Sequence, residues 1–127
     1  MDIQTLTNPI GALTSYTPTV ASSGGTITTS SATGIYVKLG PKLCWFTAIA
    51  TITTNGTGSG QVRIGTPFTI STSNGFAAGG EGSVSGKAVQ GYMVAGEAFV
   101  RCLFYDGTYP GANGANFTIS GIFRYAA

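Results

Sequence analysis

The stretch KLCWFTAIATIT (42–53) is apolar on two registers at once. Cys44, Phe46, Ala48, Ala50 and Ile52 make one face of an extended segment, and Leu43, Trp45 and Ile49 add an apolar character to the other. AFVRCLFY (98–105) repeats the pattern, with Val100, Cys102 and Phe104 on one side and Phe99, Leu103 and Tyr105 on the opposite side. The last segment behaves differently: Phe117, Ile119, Phe123 and Tyr125 alternate with Asn116, Thr118, Ser120 and Arg124. An antiparallel strand with one wet face shows that second, clean alternation. A strand apolar on both faces needs cover on both. The chain has no helical period to supply it, so the pattern favours a second subunit over burial within a two-sheet core.

Short extended segments separated by turn residues recur about every ten positions, the rhythm of sandwiches and barrels. Strands are expected near 16–20, 26–30, 33–39, 43–54, 60–65, 68–72, 82–94, 98–105 and 116–125. SSGG (22–25), LGPK (39–42), NGTGSG (55–60), SNGFAAGGEG (73–82) and YDGTYPGANG (105–114) read as the turns between them, with Gly and Asn for positive φ and Pro for fixed φ. Residues 1–14 lack strand alternation and carry Ile3, Leu6, Ile10 and Leu13 around Asn8-Pro9, which predicts an arm before a β-sandwich domain spanning 15–127. A frayed terminus is the equal alternative for the arm.

Composition sharpens this picture. The 127 residues are 43% hydrophobic and 8% charged, with 20 glycines, six Tyr, seven Phe and no histidine. That is too aromatic and too weakly charged for a disordered chain, and it suits a single all-β domain with a real core. The net charge of +2 comes from Lys38, Lys42, Arg63, Lys87, Arg101 and Arg124, scattered singly, so nucleic-acid binding is not expected. No apolar run reaches the length of a membrane span, and the N-terminus does not resemble a secretory signal, so synthesis and folding in a cytoplasm are expected. Cys44 and Cys102, each inside an apolar run, read as buried free thiols rather than a disulfide.

The glycine-rich TTNGTGSGQVRIGTP (53–67) raises the question of a phosphate cradle. Its spacing fits neither G-x-x-x-x-G-K-[ST] nor G-x-G-x-x-G, and QVRIG continues as a strand, so it reads as a turn between strands. Without histidine a Ser–His or Cys–His dyad cannot form, and no metal or other cofactor is expected. Nothing in the spacing brings two of Asp2, Glu81, Glu97 and Asp106 together as a catalytic pair. The loop YDGTYPG sets Asp106 between Tyr105 and Tyr109, a combination able to hold a sugar, although an Asp-Gly turn is the simpler explanation.

Taken together, YTPTV (16–20), ATGIYVKLGPKLCWFTAIATIT (32–53), GTGSGQVRIGTPF (56–68) and VSGKAVQGYM (84–93) resemble a domain common in tailed bacteriophages. In that family a Y/W-T-P-T strand leads to a T-G-x-Y-x-K-x-G hairpin, a long strand, a G-x-G turn and a "PF" segment. The resemblance implies an antiparallel jelly roll that assembles as a homotrimer, at tail-fibre or tailspike tips or on capsid surfaces. The short region before the domain favours the capsid: a non-enzymatic decoration or cement protein on the virion surface, whose partners are itself and the major capsid protein. In that expectation Leu43, Trp45, Ile49, Phe99 and Leu103 form the subunit interface, and Ile3, Leu6, Ile10 and Leu13 form the capsid-contacting arm. The alternative is a receptor-binding tip that recognises host glycans, with Tyr105, Asp106 and Tyr109 as its loop.

Overall fold

A computed structural model describes residues 10–126. They form nine strands: β1 (Thr14–Tyr16), β2 (Val20–Gly24), β3 (Thr29–Lys38), β4 (Leu43–Thr54), β5 (Ser59–Gly65), β6 (Phe76–Glu81), β7 (Ala88–Tyr92), β8 (Phe99–Phe104) and β9 (Ala115–Arg124). No helix occurs among the described residues. All pairings are antiparallel, in the order β1-β3-β4-β9-β6-β7-β8-β5-β2. The chain is thus all-β, one nine-stranded sheet curled into a half-barrel. Three pairings, β4–β9, β5–β8 and β6–β7, are nested in sequence, as though a long hairpin had been wrapped about the core.

The curl follows from where the apolar side chains lie. Cys44, Phe46, Ala48, Ala50 and Ile52 of β4, Phe117, Ile119 and Phe123 of β9, Val62 and Ile64 of β5, and Val100, Cys102 and Phe104 of β8 are all buried in one cluster. They occupy the concave side, and bending the sheet lets its two halves share that apolar volume. Hydrogen bonds to the backbone of Gly65 then tie the rims together. Tyr16 donates its hydroxyl to the Gly65 carbonyl at 3.0 Å, and the Gly65 N–H donates to the Thr19 carbonyl at 2.8 Å.

Five of the expected strands appear within a few residues of their predicted bounds, at β3, β4, β5, β8 and β9. Others are revised. The expected strand at 16–20 is split by Thr17-Pro18-Thr19, with β2 running through the serines read as a turn. Of the strand expected at 26–30 only Thr29 and Ser30 are extended, and they join the next one in a ten-residue strand, Thr29–Lys38. Residues 68–72 pair only through the bridge Ile70–Tyr125. Phe68 instead stacks on Tyr125 (4.9 Å) and meets the Tyr36 ring edge-on (5.0 Å), so the PF segment plugs an aromatic cluster. The expected strand at 82–94 shrinks to β7 because 82–87 coil around the Glu81 carboxylate.

The largest revision is FAAGGE, expected within a loop and found as β6, paired on both sides. Its glycines permit close approach of the neighbouring backbone. A Cβ on Gly79 would stand 1.7 Å from the Thr118 carbonyl oxygen and 2.9 Å from the Ile119 Cα, whereas one on Gly80 would meet nothing nearer than 3.8 Å. The glycine turn 55–58 also does more than join adjacent strands. It carries the chain from β4 to β5, which do not pair with each other, and Gly56 turns there with φ 61°.

These two glycines give a direct test. Gly79→Ala should lower unfolding stability by about 1–3 kcal/mol, through overpacking against backbone that cannot yield. Gly80→Ala should change it little. Urea denaturation of both variants measures the difference, and equal midpoints would refute the close-approach account of β6.

Candidate functional site

Alternation on the long strands gives the sheet a convex face whose composition is unusual. On β4, Leu43 and Ile49 are 38% and 48% exposed and Trp45 is half-buried, all pointing away from the core. The register then extends the row across the sheet. Val37, Trp45, Ile122, Phe76 and Tyr92 stand opposite one another on β3, β4, β9, β6 and β7. Phe76 is 65% exposed, Tyr92 44%, and Ile122 half-buried. The row changes character at its next two positions, Arg101 on β8 and Arg63 on β5. One end of the convex face is therefore an apolar wall and the other is cationic.

Beside the wall, a hollow of about 440 Å³ lies over β1, β3 and β4, with Ile35 and Ile49 among Ser15, Thr17, Thr33 and Thr47. Hydroxyls on β4 and β9 are paired among themselves: Ser120 donates to Thr47 Oγ1 at 2.7 Å, and the Asn116 amide donates to Thr51 Oγ1 at 2.7 Å. Such mutual satisfaction leaves the wall with a low demand for water.

Phe99 and Leu103 lie on the same convex face as Leu43, Trp45 and Ile49, but on β8, with β9, β6 and β7 intervening. The five expected interface residues therefore fall into two groups rather than one patch. Phe99 is capped by the Arg63 guanidinium, 4.8 Å from its ring centre. Arg101 lies 5.7 Å from the Tyr92 ring centre and is bound by both Glu97 oxygens. This charge-assisted pairing, led by the hydrogen bond from Arg101, holds Glu97 below the ordinary carboxylate range.

The expected ligand loop is largely occupied by its own bonds. Asp106 accepts from the Thr108 hydroxyl (2.6 Å) and N–H (3.2 Å) and pairs with Lys87 at 3.2 Å, contacts that lower its pKa to about 2. Tyr109 packs on the core and donates its hydroxyl to Asn55 Oδ1 at 2.6 Å. Tyr105 alone is free, at 63% exposure. Of the arm residues, Ile3 and Leu6 lie outside the described residues. Ile10 and Leu13 are exposed, while Gly11 between them donates its N–H to the Lys38 carbonyl and so begins the edge that β1 continues.

Glu81 is a buried polar side chain whose structural role sequence reasoning passed over. It is buried at the end of β6 and accepts from the N–H groups of Ser83, Val84, Ser85 and Asn116 at 2.6–3.0 Å. Burial alone would raise its pKa, but the backbone donors outweigh that and bring it to about 2. The signal was a lone Glu opening the tight GSVSGK turn (82–87), a carboxylate with a ring of free N–H groups after it.

Both cysteines are free and buried. Burial raises Cys102 to about 12. It also raises Cys44, to about 11 against a smaller opposing pull from Lys38. Among the described residues no three His, Cys, Asp or Glu side chains gather as a metal site would need.

Two outcomes follow from these groups. The Glu81 carboxylate has a lower pKa folded than unfolded, so its stabilisation is present above the ordinary carboxylate pKa and fades as pH falls towards 2. Glu81→Gln should destabilise the protein at pH 7 by about 1.5–3 kcal/mol and flatten the melting profile between pH 4.5 and 2. A variant melting like the parent at pH 7 would show that the carboxylate does not organise the turn. Both thiols should resist a maleimide at pH 7 until the protein is denatured, and rapid native labelling would contradict their burial.

Comparison with known protein families, characterised proteins and solved structures found no match to this chain.

Proposed function

We propose that this protein is a structural, non-enzymatic component of a bacteriophage virion, a trimeric jelly-roll domain that decorates or cements the capsid. The observation that carries the reading is the apolar convex wall of Leu43, Trp45, Ile49, Ile122 and Phe76. Contiguous apolar surface of this kind marks a contact with another macromolecule, and fully covering a side chain such as Phe76 is worth about 1.5–3 kcal/mol. A second copy of the chain suits the wall because its centre, Trp45, Ile122 and Phe76, is uncharged, and Arg124 stands only at its end, opposite Leu43. The nested pairings β4–β9, β5–β8 and β6–β7 are the wrapping expected of a jelly roll. The sequence resemblance to phage domains supplies the virion setting and the partner, the major capsid protein.

Decoration is favoured over glycan recognition by the state of the YDGTYPG loop. Asp106 and Tyr109 are bound within the protein, which leaves Tyr105 without a polar companion for a sugar. A trimer on a lattice also engages several sites at once and gains affinity without any deep pocket.

Two measurements test the reading. Sedimentation of the purified protein should give about three times the 12.9 kDa chain mass, and Ile49→Lys combined with Phe76→Lys should return it to monomer with the fold intact. Monomer at micromolar concentration in the unaltered protein would remove the trimer. Labelled protein should then appear in many copies over the heads of virions. Particles lacking it should adsorb to hosts normally but tolerate heat less well. Few copies confined to the tail, with adsorption lost on removal, would replace decoration by receptor binding.

A further inference from the structure

At the opposite end of the convex row, β5 and β8 set Arg63 directly across from Arg101. Like charges placed opposite on neighbouring strands are destabilising, and the carboxylate between them, Glu97, hydrogen-bonds Arg101 and acts on Arg63 only through space. Arg63 forms no salt bridge among the described residues, and its Nε is buried without a hydrogen-bond partner. A buried N–H without an acceptor carries an uncompensated desolvation cost. The Phe99 ring beneath the guanidinium fixes its plane, 4.8 Å away. Next to it, the Tyr92 hydroxyl accepts from Gln61 Nε2 at 3.0 Å, which leaves its own O–H to donate. Donors without acceptors therefore gather on one part of the face.

The described residues do not answer them. Of the described carboxylates, Glu81 is enclosed by backbone N–H groups, Glu97 is held by Arg101 and Asp106 by Lys87. Neither the same molecule nor a second copy offers a free acid from those residues. We propose that the β5–β8–β7 part of the convex face docks a different protein, one that presents an Asp or Glu carboxylate to the Arg63 guanidinium and Tyr92 hydroxyl. A planar guanidinium held over a ring suits a carboxylate in a bidentate pair. An acidic saccharide fits less well. Sugars bind by stacking on open aromatic faces, and here Arg63 covers Phe99 while Arg101 lies over Tyr92. The inference concerns any acidic protein surface and does not depend on the virion reading.

Nuclear magnetic resonance of the full chain tests it, following the Arg63 Nε–H signal together with the Phe99 and Tyr92 rings. Hexaglutamate peptide is titrated at constant ionic strength, with polygalacturonate as the saccharide arm. Saturable shifts confined to Arg63, Phe99, Tyr92 and Arg101 are expected, with a dissociation constant on the order of millimolar for so short a probe. Arg63→Gln should weaken peptide binding about tenfold or more, whereas Arg124→Gln, at the far end of β9, should leave it unchanged. Shifts spread over Lys38, Lys42, Lys87 and Arg124, or binding that survives Arg63→Gln, would overturn the site. So would the absence of any shift at Arg63 Nε in the unaltered chain, which decides the matter even if the variant fails to fold. Polygalacturonate binding about tenfold tighter than hexaglutamate would overturn the protein partner in favour of an acidic glycan.

Discussion

The register between β4 and β9, ten residue pairs from Leu43–Arg124 to Ile52–Ala115, determines which side chains in the rest of the sheet face inward. In an antiparallel sheet opposite residues share a face, so a choice made on one pair is passed to every neighbouring strand. Cys44, Phe46 and Ala48 facing the core oblige Phe123, Gly121 and Ile119 to do the same, and through β6 they fix Ala77 as core and Phe76 as surface. A slip of one residue would set the two apolar faces against each other: with Phe46 still buried, Ser120 would turn to the core and Phe117 to solvent. The concave core and the apolar convex wall are thus two results of one alignment.

That dependence explains what the sequence made legible. The double-faced pattern of 43–54 and 98–105 pointed to strands whose second face is apolar, and both strands stand where the pattern put them. It did not show that their second faces lie four strands apart on a curved sheet, because alternation carries no information on lateral order. Nor did it reveal the centre of the wall. Phe76 was hidden in a segment whose glycines signal a turn when read locally. In the fold those glycines admit the β9 backbone. Ile122 was overlooked because the alternation of β9 breaks at Gly121, whose missing side chain makes room for Ala77 and the Phe76 carbonyl. Glycine means a turn or a close approach depending on tertiary context.

The polar chemistry follows the same division between what is enclosed and what is left open. Glu81 is tolerated in the interior because several backbone donors replace its water, and Asn116 of β9 joins the 82–87 turn to the sheet through it. The thiols lie where their ionisation is suppressed. Asp106 and Tyr109, which looked like a binding pair in the sequence, were each claimed by a partner distant in sequence: Lys87 for one and Asn55 for the other. Sequence proximity placed them together, but tertiary hydrogen bonds decided their use.

What is left open lies along one cross-strand row, and its two ends ask for different partners. The uncharged centre of the wall, Trp45, Ile122 and Phe76, can be covered by a copy of itself with no charge buried, provided Arg124 beside Leu43 stays at the rim. The Arg63 end cannot, because the same row of a rotated copy brings only more apolar surface or another arginine, and the described carboxylates are already bound. Burying that guanidinium against an apolar neighbour would leave its charge unpaired, a penalty greater than a few covered side chains return. Self-association through the wall is therefore compatible with the row only if it stops short of β5 and β8. In an assembly of that kind the Arg63 end would stay open to a chemically distinct surface. A curved sheet achieves this separation simply, since strands at its two ends face different directions while sharing one core.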